Sequence, residues 1–295
     1  MSLGRVVRMI GGFYFVDSLT EAKLVECAIR GRLKLKSEGI LVGDLVDFCI
    51  EANGRGVIDE IKPRESTLTR PYVANVNLLV LVFAHCNPDP IPRLIDKFLV
   101  LAELSRIPYL IVFNKTDLVG KGKADKLANI YRNYGYNVLN ACVRSHLGQR
   151  KLASAISGKI AVFSGPSGVG KSALLNLLKP GLQLRTGEVS EKIGRGKHTT
   201  REVQLLKIKP GSYVADTPGF SQISLESIRP EELAPCFIEF HEFLGQCRFS
   251  SCLHDSEPGC GVKTAVAEGK ITNDRYQSYL ELLGEIKGLW ENRYR

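Results

Sequence analysis

A lysine and a serine at the end of a glycine-rich turn have the residue types and spacing for phosphate chemistry. Lys171 and Ser172 close the segment Gly165-Pro166-Ser167-Gly168-Val169-Gly170-Lys171-Ser172, which follows an apolar run over 159–164. The glycines leave backbone N–H groups free to surround phosphate oxygens, and the helix expected after the turn points its positive end at them. We therefore expect residues 165–172 and Ala173 to bind a nucleotide, with Lys171 on the outer phosphates and the Ser172 hydroxyl on Mg²⁺.

A second segment, Asn114-Lys115-Thr116-Asp117, follows the apolar run 109–113 and has the residue types to read a base. A carboxylate at Asp117 accepts from both the ring N–H and the amino group of guanine, whereas adenine would leave this charge unpaired. Asn114 is expected to brace the loop, and the stem of Lys115 to lie over the base. An Asp after a strand is often only a helix cap, but the phosphate loop favours a guanine nucleotide.

The magnesium side of the site is expected in Asp216-Thr217-Pro218-Gly219, which follows the short apolar run 213–215. Asp216 would reach Mg²⁺ through water, and the Gly219 N–H would lie near the γ-phosphate. Upstream, Gly194-Arg195-Gly196-Lys197-His198-Thr199-Thr200 is typical of a switch whose threonine joins the magnesium shell. Thr200 is favoured over Thr199, and the same segment also fits a surface loop or an RNA contact.

The attacking water lacks an obvious partner, because Phe220 follows Gly219. A phenylalanine ring cannot orient water by hydrogen bonding, so another group does so or intrinsic hydrolysis is slow, on the order of 10⁻⁴ s⁻¹. His198 is the candidate substitute, since an imidazole bonds water near neutral pH, although a lone histidine is as often structural. The predicted catalytic residues are His198, Lys171 and Thr200.

Three cysteines and a histidine have the spacing of a metal site, Cys247-x₄-Cys252-x-His254-x₅-Cys260. Three thiolates and one imidazole complete a tetrahedral Zn²⁺ shell, and metal binding would supply folding energy that so short a segment cannot obtain from a core. The alternative is a set of buried reduced cysteines, which the polar run 255–257 disfavours. His241 is not a preferred ligand. The five other cysteines lie in mostly apolar strings and are expected to be buried reduced thiols: Cys27, Cys49, Cys86, Cys142 and Cys236.

Three zones of the chain must position these residues. In residues 1–68, turn-separated runs predict strands over 5–10, 13–16, 23–30, 45–50 and 56–61, which fits an oligonucleotide-binding barrel (OB-fold) or a barrel that acts as a spacer. Arg30, Arg32, Lys34 and Lys36 would lie in or beside a loop, as phosphate contacts or as a solvated surface.

The middle zone, residues 69–227, alternates strands over 78–84, 109–113, 159–164 and 213–215 with helices over 91–105, 123–134 and 172–178. This alternation predicts a mostly parallel sheet covered by helices, with the motifs at the strand ends where such sheets bind ligands. Residues 228–295 are predicted to form a small α-helical zinc-binding domain that ends in a helix over 273–294.

The order of the motifs is rotated, because the base-reading segment precedes the phosphate loop. Such a circular permutation preserves a site, since the termini of a domain often lie close together. It also places residues 216–220 directly before the zinc-bearing zone. A shift of this segment on loss of the γ-phosphate would then reach the C-terminal domain and change the affinity for RNA.

The net charge and the apolar runs of the chain bear on its partners and its location in the cell. The 295 residues carry a net charge of +9, which fits attraction to RNA or only a soluble basic surface. The longest apolar run, 78–84, is far short of the roughly 20 residues that span a bilayer, and the first 16 residues lack a signal-peptide core. We expect a cytoplasmic monomer without a membrane partner.

Together these motifs closely resemble one family over essentially the whole chain: the circularly permuted GTPases known as RsgA, which depend on the small ribosomal subunit. The resemblance rests on the barrel, on Asn-Lys-x-Asp before the phosphate loop, on Gly-Arg-Gly-Lys-His-Thr-Thr, on Asp-Thr-Pro-Gly-Phe and on the Cys-Cys-His-Cys segment. It implies a bacterial cytoplasmic GTPase that acts late in maturation of the small (30S) subunit, binds ribosomal RNA near the decoding region, and hydrolyses GTP faster when bound. One departure is Asn140-Ala141 in place of Ser-Ala, so Ala141 is kept as a backbone contact to the nucleotide.

Two other functions are weighed. A P-loop metabolic kinase or ATPase is disfavoured because Asp117 selects guanine and no second-substrate site is evident. A non-enzymatic RNA-binding assembly protein with a vestigial nucleotide site is disfavoured because Lys171, Ser172 and Asp216 are all present.

Overall fold

The computed structural model describes residues 1–21, 23–31, 39–69, 72–182, 184, 203–216 and 225–292. Its first unit is a closed five-stranded barrel. The strands are β1 (Ser2–Ile10), β2 (Phe13–Ser18), β3 (Leu24–Ile29), β4 (Leu45–Ile50) and β5 (Gly56–Ile61). They follow the order β1-β2-β3-β5-β4, and β4 pairs back onto β1 to close the barrel. This confirms the predicted OB-type barrel.

Alternate side chains of these strands fill the barrel, as the period of two in a strand requires. Its interior packs Val6, Val16, Val25, Val46, Phe48 and Ile58. A short antiparallel ribbon, β6 (Thr67–Thr69) and β7 (Tyr72–Ala74), leads into the next unit. This ribbon has no counterpart among the predicted elements, because strands of three residues carry too little periodicity to recognise.

The second unit is a sheet in the order β10-β9-β8-β11-β13-β12. Its strands are β8 (Leu78–Ala84), β9 (Tyr109–Asn114), β10 (Val138–Asn140), β11 (Ile160–Ser164), β12 (Gln204–Lys209) and β13 (Ser212–Asp216). All pairings are parallel except that of β12 with β13. The mostly parallel sheet of the prediction is confirmed.

Helices cover both faces of this sheet. They are α1 (Pro92–Ser105), α2 (Lys121–Asn133), α3 (Gln149–Ala155) and α4 (Lys171–Leu178). Every residue of β8 is buried, and its side chains divide between two cores. Leu79, Leu81 and Phe83 enter one cluster, whereas Leu78, Val80 and Val82 enter the other. A strand covered on both sides therefore reads as one continuous apolar run.

The barrel and the sheet of the second unit are joined through β1 and β12, which pair antiparallel at Arg8 and Gln204. The buried Asp17 of β2 lies at this junction. Its Oδ2 accepts a 2.6 Å hydrogen bond from the Tyr213 hydroxyl, and its Oδ1 accepts one of 2.9 Å from Lys207 Nζ. The junction thus contains a charged network as well as the antiparallel pairing of β1 with β12.

The third unit packs α5 (Gly261–Ala267) and α6 (Asn273–Glu291) with one-turn 3-10 helices within 230–240. The predicted last helix begins at Asn273 as expected and reaches Glu291, whereas residues 293–295 lie outside the described part. Phe237, Phe240 and Tyr279 form its aromatic core.

A buried arginine connects this unit to helix α1 of the second unit. Arg275 of α6 is 3% exposed, and its guanidinium donates to Asp96 of α1 and, at 2.6 Å, to Glu239. The same group lies 4.8 Å from the centre of the Phe237 ring. Two carboxylates and an aromatic face therefore surround one buried cation.

Two expectations for the cysteines need adjustment. Cys27, Cys142 and Cys236 are buried, but Cys49, next to the last residue of β4, and Cys86, beyond the end of β8, are only half-buried. Among the described residues, no helix is both long and apolar enough to cross a bilayer.

Candidate nucleotide and metal sites

The carboxyl ends of the parallel strands bring the sequence motifs to one edge of the sheet. In the register, Ala84 of β8 pairs with Asn114 of β9, and Phe113 pairs with Asn140 of β10. Ser164 ends β11 in register with Leu81 of β8. The base-reading segment, Asn140-Ala141 and the phosphate loop all leave the sheet at this edge, although they are far apart in the chain.

The phosphate loop adopts a backbone conformation that glycine readily allows. Gly165, Gly168 and Gly170 have φ values of 141°, 77° and 96°, which L side chains rarely adopt. A Cβ at Gly165 would collide with the Val82 carbonyl oxygen, and one at Gly170 would collide with the Asn114 amide. The loop is therefore packed directly on β8 and on the base-reading segment, which leaves its other side for a ligand.

Lys171 begins α4 beside this loop. Its Nζ donates to the carbonyl oxygens of Gly165 and Pro166, both at 2.7 Å. Burial lowers the pKa of Lys171 to about 8. Ser172 and Ala173 occupy the same first turn of α4, and Pro166, Ser167 and Val169 belong to the loop itself. Ser164, directly before the loop, has a buried hydroxyl with no hydrogen-bond partner among the described residues.

Asn114 and Lys115 connect the base-reading segment to the phosphate loop. Asn114 is buried, and its Nδ2 donates to the Val169 carbonyl oxygen at 2.9 Å. Lys115 Nζ donates to the Gly168 carbonyl oxygen at 2.6 Å and also to the Asn87 carbonyl oxygen. The two motifs that are separated in the sequence therefore form one continuous site.

Thr116 and Asp117 lie against the segment that follows β10. Both the backbone N–H and the hydroxyl of Thr116 donate to the Ala141 carbonyl oxygen, at 3.3 and 3.2 Å. Asp117 Oδ1 accepts from the Cys142 thiol at 3.2 Å, and Asp117 Oδ2 lies 3.7 Å from Arg144 Nη1. The carboxylate predicted to read guanine is thus held beside Ala141.

The structure adds contacts that the sequence reasoning missed. Asn140 Oδ1 lies 3.2 Å from His85 Nε2, and Asn140 Nδ2 donates to Asp125 at 3.2 Å. Burial lowers the pKa of His85, so this imidazole is neutral near pH 7. No spacing rule links His85, Cys142 or Arg144 to the motifs, because their proximity arises only when β8, β9 and β10 pair.

Several predicted site residues lie outside the described part of the chain. They are His198, Thr199, Thr200 and Gly219, together with the neighbouring Phe220. Asp216 is the last residue of β13, so its backbone ends at the same sheet edge as Ser164. The described residues therefore include the segments that are expected to form the base and phosphate sides of the site.

The second candidate site is a cluster of four metal-ligand side chains in the C-terminal unit. The ligand atoms of Cys247, Cys252, His254 and Cys260 all lie within 4.8 Å of one another. His254 Nδ1 is 3.5 Å from Cys247 Sγ and 3.3 Å from Cys260 Sγ, and these two sulfurs are 3.9 Å apart. With zinc bond lengths of about 2.3 Å to sulfur and 2.05 Å to nitrogen, a tetrahedral shell has edges of about 3.8 and 3.6 Å. The three separations among Cys247, His254 and Cys260 match those edges, and Cys252 supplies the fourth ligand within 4.8 Å.

Backbone amides and a glutamate position the four ligands. The N–H groups of His254, Gly261 and Lys263 point at the sulfurs of Cys252, Cys247 and Cys260 at 3.4–3.5 Å. Such N–H groups favour thiolates over thiols. Glu257 accepts from the Leu253 and Asp255 N–H groups at 2.8 and 2.9 Å and so ties the turn together. His241 instead contacts the Pro235 carbonyl oxygen at 2.8 Å.

The comparison with protein families decides the identity of this arrangement. The family model described as RsgA GTPase matches residues 61–226, and the model described as RsgA N-terminal domain matches residues 3–58. The chain belongs to the RsgA GTPase family. Membership implies use of GTP or GDP and Mg²⁺, which agrees with the phosphate loop and base-reading segment.

Full-length relatives of the RsgA family carry one name. Proteins called small ribosomal subunit biogenesis GTPase RsgA from Alkaliphilus metalliredigens and Moorella thermoacetica are 46% and 44% identical to this chain. The alignments cover 97% and 96% of this chain, and 98% and 97% of the relatives.

Solved structures of RsgA relatives agree with the fold. YjeQ from Thermotoga maritima is 38% identical, with a TM-score of 0.85 over 97% of this chain and 99% of its own. YloQ, described as a circularly permuted GTPase, is 35% identical, with a TM-score of 0.81 over 98% of this chain and 96% of its own. The rotated order of the motifs is therefore shared with a solved relative.

Proposed function

We propose that this protein is a GTPase that binds the small (30S) ribosomal subunit, assists its late maturation, and hydrolyses GTP faster when bound to the subunit. The single observation that carries the nucleotide part is the direct contact of Asn114 and Lys115 with the phosphate loop at Val169 and Gly168. The subunit part is carried by the names of relatives that match the chain over nearly its whole length.

For the nucleotide, we assign the base to Asp117 and Ala141 and the phosphates to the loop. The N–H groups of 165–172 would surround the phosphate oxygens, while Lys171 Nζ would exchange its bonds to Gly165 and Pro166 for bonds to the outer phosphates. The residues in this assignment are Asn114, Lys115, Thr116, Asp117, Ala141, 165–173, Thr199, Thr200, Asp216 and Gly219.

For the reaction, the chain supplies positioning and charge rather than a covalent partner. Mg²⁺ held by Ser172 and Thr200, with Asp216 reaching it through water, would neutralise charge on the phosphate oxygens. Lys171 would stabilise the charge that moves onto the leaving β-phosphate. His198 would orient the attacking water in place of the residue that Phe220 cannot supply, and contact with the subunit would bring it into position.

For the C-terminal unit, we propose one structural Zn²⁺ held by Cys247, Cys252, His254 and Cys260. The ligand set is closed by four side chains, which is typical of a structural zinc site and not a catalytic one. Without metal, burial raises the pKa of Cys252 to about 12, so a divalent cation supplies the charge that lets this thiol ionise.

For partners and location, we propose contact with ribosomal RNA through the barrel and the basic surface of the chain. The net charge of +9 would favour association with RNA. A cytoplasmic monomer without a membrane partner fits that task. The predicted domain bounds, 1–68, 69–227 and 228–295, belong to the same proposal.

Phosphate release tests this function. Wild-type protein is mixed with GTP alone and with GTP plus purified small subunits, and Lys171→Ala serves as the nucleotide-binding control. We expect slow release alone, on the order of 10⁻⁴ s⁻¹, and a large increase with subunits. A further mixture, GTP plus purified large subunits, serves as the control for the partner. Equal rates of phosphate release with small and large subunits would contradict the assigned partner.

A separate variant tests the role of His198. His198→Ala should bind GTP as the wild type does but lose most of the subunit-stimulated rate. Unchanged stimulated release would remove His198 from the reaction while leaving the GTPase assignment intact.

A further inference from the structure

The carboxylate of Asp117 has two partners of opposite character. Cys142 Sγ lies 3.2 Å from Oδ1, and Cys142 is 1% exposed. Arg144 Nη1 lies 3.7 Å from Oδ2, and the Arg144 side chain is 84% exposed. One partner is fixed inside the protein and the other extends into solvent.

The direction of the Cys142 hydrogen bond is determined by its surroundings. The sulfur lies 3.4 Å from the Ser145 N–H, and the Cys142 backbone N–H donates to the Leu147 carbonyl oxygen at 3.1 Å. Because the Ser145 N–H can only donate, the sulfur accepts there and its own hydrogen is available to Asp117. The buried thiol therefore donates its hydrogen to Oδ1 of Asp117 from the interior of the protein.

This contact leaves room for a base. Each carboxylate oxygen has two acceptor positions, so Oδ1 can hold the thiol and a base N–H together. The Arg144 ion pair is long and exposed, and such pairs contribute little to stability. An arriving guanine can thus replace Arg144 at Oδ2, whereas Cys142 keeps its place.

The residue two positions earlier does not share this task. Both ends of the Asn140 amide are engaged by His85 and Asp125. Among the contacts of the described residues, the Cys142 thiol is therefore the buried donor that orients Asp117.

We propose that Cys142 is a specificity-determining positioning residue, which orients Asp117 so that both carboxylate oxygens meet the ring N–H and the amino group of guanine. The proposal rests on the assignment of Asp117 to guanine. It predicts that loss of the thiol lowers discrimination among bases more than it lowers binding of the phosphates.

The test compares the binding of GDP, IDP and ADP to full-length protein by calorimetry. IDP lacks the amino group of guanine, so the GDP-to-IDP affinity ratio reports the orientation of Asp117. Cys142→Ala should lower this ratio about fivefold, the effect of one weak hydrogen bond to a charged group. Cys142→Ser, which restores a donor, should return it to within about twofold of the wild type.

Arg144→Ala is the matched control, because it removes the exposed partner of the same carboxylate. It should leave the GDP-to-IDP ratio unchanged. An unchanged ratio in Cys142→Ala, or an equal fall in Arg144→Ala, would overturn the proposal. If Cys142→Ala does not fold, the isosteric pair Cys142→Thr and Cys142→Val makes the same comparison of donor against no donor.

The wild type separates this inference from the function on which it rests. If wild-type protein binds ADP as tightly as GDP, the assignment of a guanine site fails, whatever the variants show. If it prefers GDP and the variants keep the wild-type ratio, the role of Cys142 alone fails.

Discussion

At the scale of single residues, Lys171 shows how burial changes the pKa of an amine that we assign to phosphate binding. Its ammonium donates to two carbonyl oxygens of its own loop, and burial lowers its pKa to about 8. Phosphate oxygens favour the charged amine, so a bound nucleotide raises this pKa. Binding and protonation of Lys171 are therefore linked.

The linkage predicts how nucleotide affinity depends on pH. Below about pH 8, Lys171 is charged in the free and bound protein, and the affinity should stay level. Above it, the free protein loses the proton that the complex keeps, so GDP affinity should be about tenfold weaker near pH 9 than near pH 7. Lys171→Arg keeps its charge and serves as the control. Parallel pH profiles for the two proteins would contradict this origin.

The residue scale also shows where sequence reasoning stops. Lys171, Asn114 and Asp117 could be predicted as site residues from spacing, because each lies in a short, contiguous motif. Cys142 could not, since a thiol in an apolar string is read as a small buried hydrophobe, and its contact with Asp117 depends on the pairing of β9 with β10.

At the scale of elements, we propose that zinc bound to Cys247, Cys252, His254 and Cys260 holds the turn that carries them. Cys252→Ser should therefore lose bound zinc and lower the free energy of unfolding by several kcal/mol. Cys236→Ser is the matched control, because Cys236 is buried and donates to the Glu232 carbonyl oxygen at 3.2 Å, away from the cluster. Metal analysis and urea denaturation measure both effects. Equal zinc content in the two variants would exclude the site.

The contact between α1 and α6 contains a buried ion pair, Arg275 with Asp96. Arg275→Met would leave the carboxylates of Asp96 and Glu239 without their cation. We expect a loss of about 3–5 kcal/mol in the free energy of unfolding, the usual result of removing one partner from a buried pair. Arg93→Ala, which breaks an exposed pair with Glu285 on the same two helices, should cost about 0–1 kcal/mol.

The sign of the pH dependence gives a second check on Arg275. Burial already raises the pKa of Asp96, with Arg275 opposing the shift. Removing Arg275 raises that pKa further, so the folded variant takes up a proton more readily than the unfolded chain. The variant should therefore be less impaired near pH 5 than near pH 8. A penalty that grows as pH falls would contradict this account.

At the scale of the whole molecule, the sequence predicted three units and the structure shows how they join. The barrel, the mostly parallel sheet and the final helix were predictable, because each has a strong period or fixed turn residues. The pairing of β1 with β12 and the buried Arg275 were not, because both connect residues more than 170 positions apart and leave no local pattern. The elements β6, β7, β10, β12, α3 and α5 were also not predicted, and none of them is longer than 7 residues.

The buried carboxylate of Asp17 lies at the junction between the barrel and the sheet of the second unit. Asp17 is 6% exposed and accepts from the Tyr213 hydroxyl and from Lys207 Nζ. Burial and the hydrogen bond to Asp17 raise the pKa of Tyr213, so its hydroxyl keeps its proton and donates to Asp17 at neutral pH. The carbonyl oxygen of Lys207 also accepts from Lys179, directly after α4, so the junction contacts the end of the helix that follows the phosphate loop.

The two bonds to Asp17 should differ in strength. Tyr213→Phe removes a buried hydrogen bond to a charge and should cost about 1.5–3 kcal/mol, whereas Lys207→Met removes a partly exposed ion pair and should cost about 0–1 kcal/mol. Double-mutant cycles with Asp17→Asn in urea denaturation measure each coupling.

Hydrogen exchange should quicken at Arg8 and Gln204 in Tyr213→Phe, while Val46 and Phe48 inside the barrel keep their protection, because only the junction has lost a contact. A larger coupling to Lys207 than to Tyr213, or loosening throughout the barrel, would show that Asp17 stabilises the barrel itself instead of its attachment.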